Sequence, residues 1–186
     1  MTRARFTLTI VTSRDGYIAR AFDHAPQAWA SPEEQVLFFS GVEAADWAIM
    51  GRNTHEAADR PDRRRIVFSS SRRGWIRPTQ LWIDPEEHRP EDLAGLVSHV
   101  HPLRDGLILG GTRVHDWFHR HGAIDRIHLT IEPVDFGGGL PIFPGQTLRD
   151  PVAVFRQAGY RIVAERLLNE QGTRFLDLEP ACGQTA

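Results

Sequence analysis

Three stretches of the chain place glycine, arginine or hydroxyl residues directly after a short apolar run, where they could meet an anion. In "LILGGTRVHDWF" (107–118) two adjacent glycines separate a strand-like run from a helix-like one. The first amides of such a helix point outward, unpaired, at the positive end of the helix dipole. Two missing side chains clear the approach for a phosphate. Taken alone, the glycines fit a tight strand-to-helix turn equally well. "WAIMGRNTHEAADRP" (47–61) repeats the arrangement, with Arg52 and Thr54 placed after Gly51 to meet another anion. "RRIVFSSSRR" (64–73) ends in Ser69, Ser70, Ser71, Arg72 and Arg73, a set of hydroxyls and guanidiniums suited to a phosphate monoester. A single Ser-Arg cluster is ordinary solvated loop. Three such strand ends on one sheet point to a ligand with several phosphates lying across its carboxyl edge. "GGTRVH" lacks the G-x-G-x-x-G spacing and comes late in the chain, which argues against the usual dinucleotide fold.

One acid stands apart from this basic set. Ser31 and Glu34 in "WASPEEQVLFF" (29–39) spell S-x-x-E, a capping box, with Pro32 at the first helical position. As a cap, Glu34 curls back onto the helix. As a carboxyl walled by aromatic residues, it gains a raised pKa and works as a proton relay or grips an N–C–N edge. Among the nine histidines, His115 and His119 are four apart beside Asp116, but HDWFH is not H-E-x-x-H. The expectation there is exposed polar positions on an amphipathic helix, with no metal.

The elements that must position these residues alternate. "RFTLTIV" (5–11) reads as a strand ended by the Asp15-Gly16 turn, followed by a loop over 17–29. A helix begins at Ser31, with Val36, Leu37, Phe39 and Val42 on its expected buried face and Phe38 to one side. Strands follow at 47–50, 64–70 and 79–84, with a helix over 51–60 stopped by Pro61. A helix over 90–100, the strand "GLILG", a helix over 112–122 and the alternating strand 125–134 come next. Residues 152–179 read as two or three strands with turns near Gly159 and Gly172. This order implies a three-layer mixed α/β sheet with helices on both faces. It forms a single domain over 1–179, with 180–186 as a disordered tail.

Composition sets the outer bounds. At 186 residues, 41% hydrophobic and 25% charged, the chain is long enough for one proper core. A net charge of −2 gives no reason to expect nucleic acid or a membrane surface as partner. A single cysteine, Cys182, leaves no disulfide framework and fits the cytoplasm. All 22 basic residues are arginine, so no mechanism here uses a catalytic lysine.

"WASPEEQVLFF", "IMGRNTHEAADRP", "RRRIVFSSS" and "GGTRVHDWF", in that order, resemble dihydrofolate reductase. "SRDGYIA", "IDRIHLTIEPVDFGGGLPIF" (124–143) and the strand-rich end are similar to the sister group. That group is the reductase domain of riboflavin biosynthesis, the C-terminal half of a bifunctional deaminase-reductase. The resemblance spans about residues 5 to 178 and implies the dihydrofolate reductase-like fold with NADPH as cofactor. It gives Gly51, Arg52 and Thr54 to the adenosine-side phosphates, and Ser69, Ser70 and Arg72 to the 2′-phosphate. Gly110 and Gly111, joined by a cis peptide, with the amides of Thr112, Arg113 and Val114, become the pyrophosphate seat. Glu34 becomes the catalytic acid, and Trp29, Phe38 and Arg63 contact the substrate. The helix after Trp29 carries no arginine, unlike the riboflavin reductases, so the implied substrate is either pterin-like or a pyrimidine of the 5-amino-6-(5-phosphoribosylamino)uracil type. The alternative within this fold is a nucleotide-binding protein without catalysis. A homodimer is expected, since Leu140, Ile142 and Phe143 after the glycine run exceed what one covered sheet needs.

Overall fold

The computed structural model describes residues 3–181. Its main sheet has nine strands: β1 (Arg5–Ser13), β3 (Trp47–Gly51), β4 (Arg65–Phe68), β5 (Gly74–Arg77), β6 (Gln80–Ile83), β7 (Asp105–Gly110), β8 (Arg126–Glu132), β10 (Tyr160–Leu167) and β11 (Arg174–Pro180). They lie in the order β10-β11-β8-β1-β7-β3-β4-β6-β5. The six strands from β8 to β6 run parallel, and the flanking β11 and β5 pair antiparallel. A small second sheet pairs β2 (Tyr17–Ala19) with β9 (Leu140–Pro141). The helices are α1 (Pro32–Ala44), α2 (Arg52–Ala57), α3 (Leu93–Val97), α4 (Thr112–Arg120) and α5 (Pro151–Gln157).

Alternation along the strands gives the two faces of the sheet different characters. Phe6, Leu8, Ile10, Trp47, Ile49, Ile66, Phe68, Leu81, Ile83 and Ile108 form one apolar core with residues of α3, α4 and α5. The opposite face carries Thr9, Val11, Ala48, Met50, Arg65 and Leu109, and these line a cleft beside α1 and α2. Parallel strands bring the carboxyl ends of β8, β1, β7, β3 and β4 to one edge. The chain leaves β1 towards β3 and leaves β7 towards β8, so the connections diverge there and open a crevice at that edge.

Several expectations change. The helix at Ser31 forms, but its inward stripe is Glu34, Phe38, Gly41 and Val42, while Val36 is 69% and Phe39 43% exposed. Phe39 lines the cleft, which takes the place of a packed neighbour along that helix, and Val36 lies on the solvent face. The 51–60 helix stops at Ala57. Residues 152–157 lie in α5, capped by Asp150 with Pro151 at its first turn, so the strand reading of that stretch is corrected. The turns at Gly159 and Gly172 and the strands β10 and β11 follow as expected. β5, a hairpin partner of β6, was not foreseen. Of the expected tail, Pro180 ends β11 and the Ala181 amide donates to Gly159 O at 2.9 Å, while 182–186 lie outside the described residues.

Ile142 is fully buried and Phe143 packs against His119 and Phe155, so the apolar run after the glycines folds onto α4 and α5 of its own chain. The argument for a homodimer from that run is lost. His115 is likewise no exposed residue. It is buried, its ring pushed down to about 4 by burial, and its Nδ1–H donates to Ile142 O at 3.0 Å. No cluster of metal-ligating side chains occurs among the described residues.

Candidate active site

The cleft along the carboxyl edge has a volume of about 1690 Å³. That exceeds the roughly 300–1,000 Å³ typical of a single small-ligand site. It gathers Gly51, Arg52, Thr54, Arg63, Ser69, Ser70, Gly111, Thr112, Arg113 and Val114 together with Glu34 and Phe38 of α1.

The Gly110–Gly111 peptide is cis. Gly110 has φ +101°, and a Cβ there would stand 2.7 Å from His115 Nε2, so the neutral imidazole fills the space beneath the turn. Gly111 is the reverse case, with open space on every side of a would-be Cβ. Beyond it, the Thr112 and Arg113 amides have no acceptor within the described residues. The Val114 amide, by contrast, donates to Gly111 O at 2.9 Å. Val114 therefore packs the turn with its buried side chain, and two amides rather than three face the cleft. The Thr112 hydroxyl donates to Pro141 O at 2.6 Å and ties α4 to β9. This opening, lined by free amides and a vacant Cβ position, fits a pyrophosphate.

At the ends of β3 and β4 the polar residues divide. Arg52 is exposed, and its nearest side-chain contact is the Ser71 hydroxyl at 3.4 Å. The Ser69 hydroxyl is occupied by the Ser71 and Arg72 amides, each at 3.2 Å, and so holds the turn, leaving Ser70 to face the cleft. Arg72 is not in the cleft. Its guanidinium lies over the Trp82 ring, 5.4 Å from the centroid, because the turn at Ser69 sends it behind α2, beside His55 and Gln80. Arg63 lies at the rim, 3.8 Å from Glu43 of α1.

On the substrate side, Phe38 lines the cleft and Trp29 does not. Trp29 stands edge-on to Phe136 at 4.9 Å and stacks with His24, and its buried Nε1 has no partner among the described residues. Neither Trp29 nor Arg72 is brought to the cleft wall with the other expected site residues.

Glu34 is buried, with 4% of its surface exposed. Its amide donates to Ser31 Oγ at 3.3 Å, one half of the capping box. The other half is missing, because the Ser31 amide donates at 2.7 Å to Glu132 Oε1. Burial, and next the charge of Glu132, push the Glu34 carboxyl up from 4.5 to about 7. Glu132 closes β8 and escaped the sequence reading. The one signal was an acid ending the polar side of the alternation, on the strand face that Thr130 shares.

The fold and the sequence were both compared with known proteins. A riboflavin biosynthesis protein from Shewanella sp. PV-4 superposes with a TM-score of 0.69 at 20% identity, covering 95% of this chain and 98% of that one. A diaminohydroxyphosphoribosylaminopyrimidine deaminase/5-amino-6-(5-phosphoribosylamino)uracil reductase from Thermotoga maritima gives 0.70 at 14% identity, over 96% of this chain. The chain spans 57% of that bifunctional protein's length. No curated protein matches the sequence. At these identities the superpositions establish the dihydrofolate reductase-like fold. The family follows from the sequence itself: over residues 5–168 it matches the RibD C-terminal domain, and the chain belongs to that family.

Proposed function

We propose that this chain is an NADPH-dependent reductase that delivers hydride to a planar nitrogen heterocycle, either pterin-like or a riboflavin-pathway pyrimidine, in the cytoplasm. The family supplies the reductase domain of riboflavin biosynthesis, which makes the chain a reductase-like oxidoreductase. The observation that carries the finer reading is the convergence of three phosphate-suited strand ends and one protonatable carboxyl, Glu34, on a single cleft large enough for two ligands.

In this reading the free amides of Thr112 and Arg113, beside Gly110 and Gly111, hold the pyrophosphate. Arg52, Thr54 and Ser70 hold the adenosine-side phosphate. Bound NADPH supplies the hydride. Phe38 lies against the flat heterocycle, and Arg63 meets an anionic substituent at the rim. With a pterin-like ring, Glu34 gives its proton to the ring nitrogen next to the carbon that gains hydride; with the phosphoribosylamino pyrimidine, to the exocyclic nitrogen of the opened sugar's C1′=N bond. A C=N bond thus becomes CH–NH and Glu34 is left as carboxylate, to be reprotonated from water.

Fluorescence titration with NADPH, followed by steady-state assays with dihydrofolate and with the phosphoribosylamino-uracil substrate, tests the proposal. Saturable NADPH binding and turnover of one heterocycle are expected. Binding with no turnover of either leaves a nucleotide-binding protein, and no binding removes both readings.

The glycine pair offers a sharper local check. Gly111→Ala meets open space and an ordinary φ of −84°, so the thermal midpoint is expected to stay within a degree or two of native. The new methyl narrows the phosphate approach, and NADPH Kd rises about tenfold or more. Gly110→Ala drives a Cβ into His115 at a positive φ and costs about 3 kcal/mol of stability. Equal NADPH affinity in Gly111→Ala and the native protein would remove the pyrophosphate from this turn.

A further inference from the structure

A helix that starts S-x-x-E ordinarily satisfies two amides reciprocally: the serine hydroxyl accepts from the glutamate amide, and the glutamate carboxylate accepts from the serine amide. Here the first contact is made and the second is taken over by a residue 101 positions away, since Glu132 Oε1 accepts from the Ser31 amide at 2.7 Å. The other oxygen of Glu132 accepts from the Thr173 hydroxyl at 2.7 Å. With a donor on each oxygen and 3% of its surface exposed, Glu132 is a fixed carboxyl group in the interior.

The support continues outward. Asn169 accepts from the Thr173 amide at 3.0 Å and donates both to the Thr173 hydroxyl at 3.0 Å and to Glu33 Oε2 at 3.1 Å. The turn of the β10–β11 hairpin therefore braces Glu132 from one side and the first turn of α1 from the other.

We infer that Glu132 is a positioning residue for Glu34: it takes the capping contact Glu34 would otherwise make, and leaves the Glu34 carboxyl facing the cleft as a proton carrier. The role assigned to the freed carboxyl rests on the reductase reading. The displacement itself rests only on the contacts.

The charges around Glu34 separate its titration from the capping of the helix. β8 contributes the Glu132 carboxylate, β1 the uncharged Thr9 and Val11, and the hairpin turn the uncharged Asn169 and Thr173. α1 itself contributes Glu33, which is turned outward onto Asn169. Of these only Glu132 acts on Glu34 electrostatically, and a like charge favours the protonated acid. Removing that charge while keeping the contacts therefore lowers the Glu34 titration without uncapping the helix.

Glu132→Gln does this. Its amide oxygen still accepts from Ser31, and its NH2 donates to the Thr173 hydroxyl. With carboxyl-13C glutamate in the full chain, the Glu34 carboxyl is expected to titrate near pH 7 in the native protein and about one pH unit lower in Glu132→Gln. In the native protein, a trans-hydrogen-bond coupling from the Ser31 amide nitrogen is expected to the Glu132 carboxyl carbon. That second measurement decides the question even if the variant does not fold. A coupling to Glu34, or an unmoved Glu34 midpoint in Glu132→Gln, overturns the inference. Neither measurement needs turnover, so both are read apart from the reductase assay. Where turnover is present, the high-pH limb of kcat/KM moves down with the Glu34 midpoint. A merely structural role for Glu132 lowers the rate and leaves that limb in place.

Discussion

Glu34→Gln is expected to stabilise the folded protein by about 2 kcal/mol at pH 9, to leave its stability at pH 5 nearly unchanged, and to lower kcat about 10²–10³-fold. The carboxyl titrates near 7 in the fold against an ordinary 4.5, because burial and then Glu132 disfavour its charge. The folded state therefore holds the proton more tightly than the unfolded chain does. That preference stabilises the fold fully below pH 4.5 and is lost as pH rises through 7, where the buried carboxyl must ionise beside a second carboxylate. The gap corresponds to about 3 kcal/mol, and the open cleft on one side of Glu34 trims it to about 2. Glutamine has nothing to ionise, so the difference between the two proteins grows with pH. Urea melts of both at pH 5 and pH 9 measure it directly. Gain of stability with loss of turnover is the pattern of a strained functional group. A variant that loses stability equally at both pH values would make Glu34 only the helix cap.

The sheet, its carboxyl edge and the three phosphate-suited ends were legible because each rests on local signals. Examples are the Ser31-Pro32 helix start, the alternation of Ile127, Leu129 and Ile131, and the Gly110-Gly111 break before α4. What stayed hidden depends on contacts distant in sequence. The S-x-x-E pattern is a true cap signal, yet half of it is supplied from β8, so Glu34 is freed by a residue that no local window contains. The i, i+4 spacing of His115 and His119 reads as a polar face only until Ile142 and Phe143 fold over it. Phe39 reads as core because sequence periodicity counts apolar residues and cannot register a cleft. α5 was missed for a different reason. "PVAVF" is short and rich in β-branched residues, and the Asp150-Pro151 start outweighs that propensity.

Arg52→Ala is expected to weaken NADPH by about 1.5–3 kcal/mol, roughly ten- to a hundredfold in Kd, and to leave NADH within about twofold. Arg72→Ala is expected to change neither. Both arginines flank the phosphate-suited strand ends in sequence, and the fold separates them. Arg72 is engaged over the Trp82 ring on the other side of α2 from the cleft, and its neighbour Arg73 is paired with Asp84 at 2.7 Å and Glu87 at 3.1 Å. Arg52 lines the cleft, exposed, with only a long hydroxyl contact and no acidic partner among the described residues. A guanidinium without a carboxylate partner gains most from an incoming phosphate dianion, since no existing ion pair has to be broken. A ribose hydroxyl offers no charge in return, so NADH is indifferent to the loss. Because Arg52 sits in solvent, the selectivity is also expected to shrink as salt is raised from 20 to 500 mM, where the screening length falls to a few ångströms. Titrating both cofactors against native, Arg52→Ala and Arg72→Ala proteins at two salt concentrations tests the assignment. Equal losses for NADPH and NADH in Arg52→Ala would make that arginine a support for the α2 turn, and a selective loss in Arg72→Ala would move the 2′-phosphate to the Trp82 side of α2.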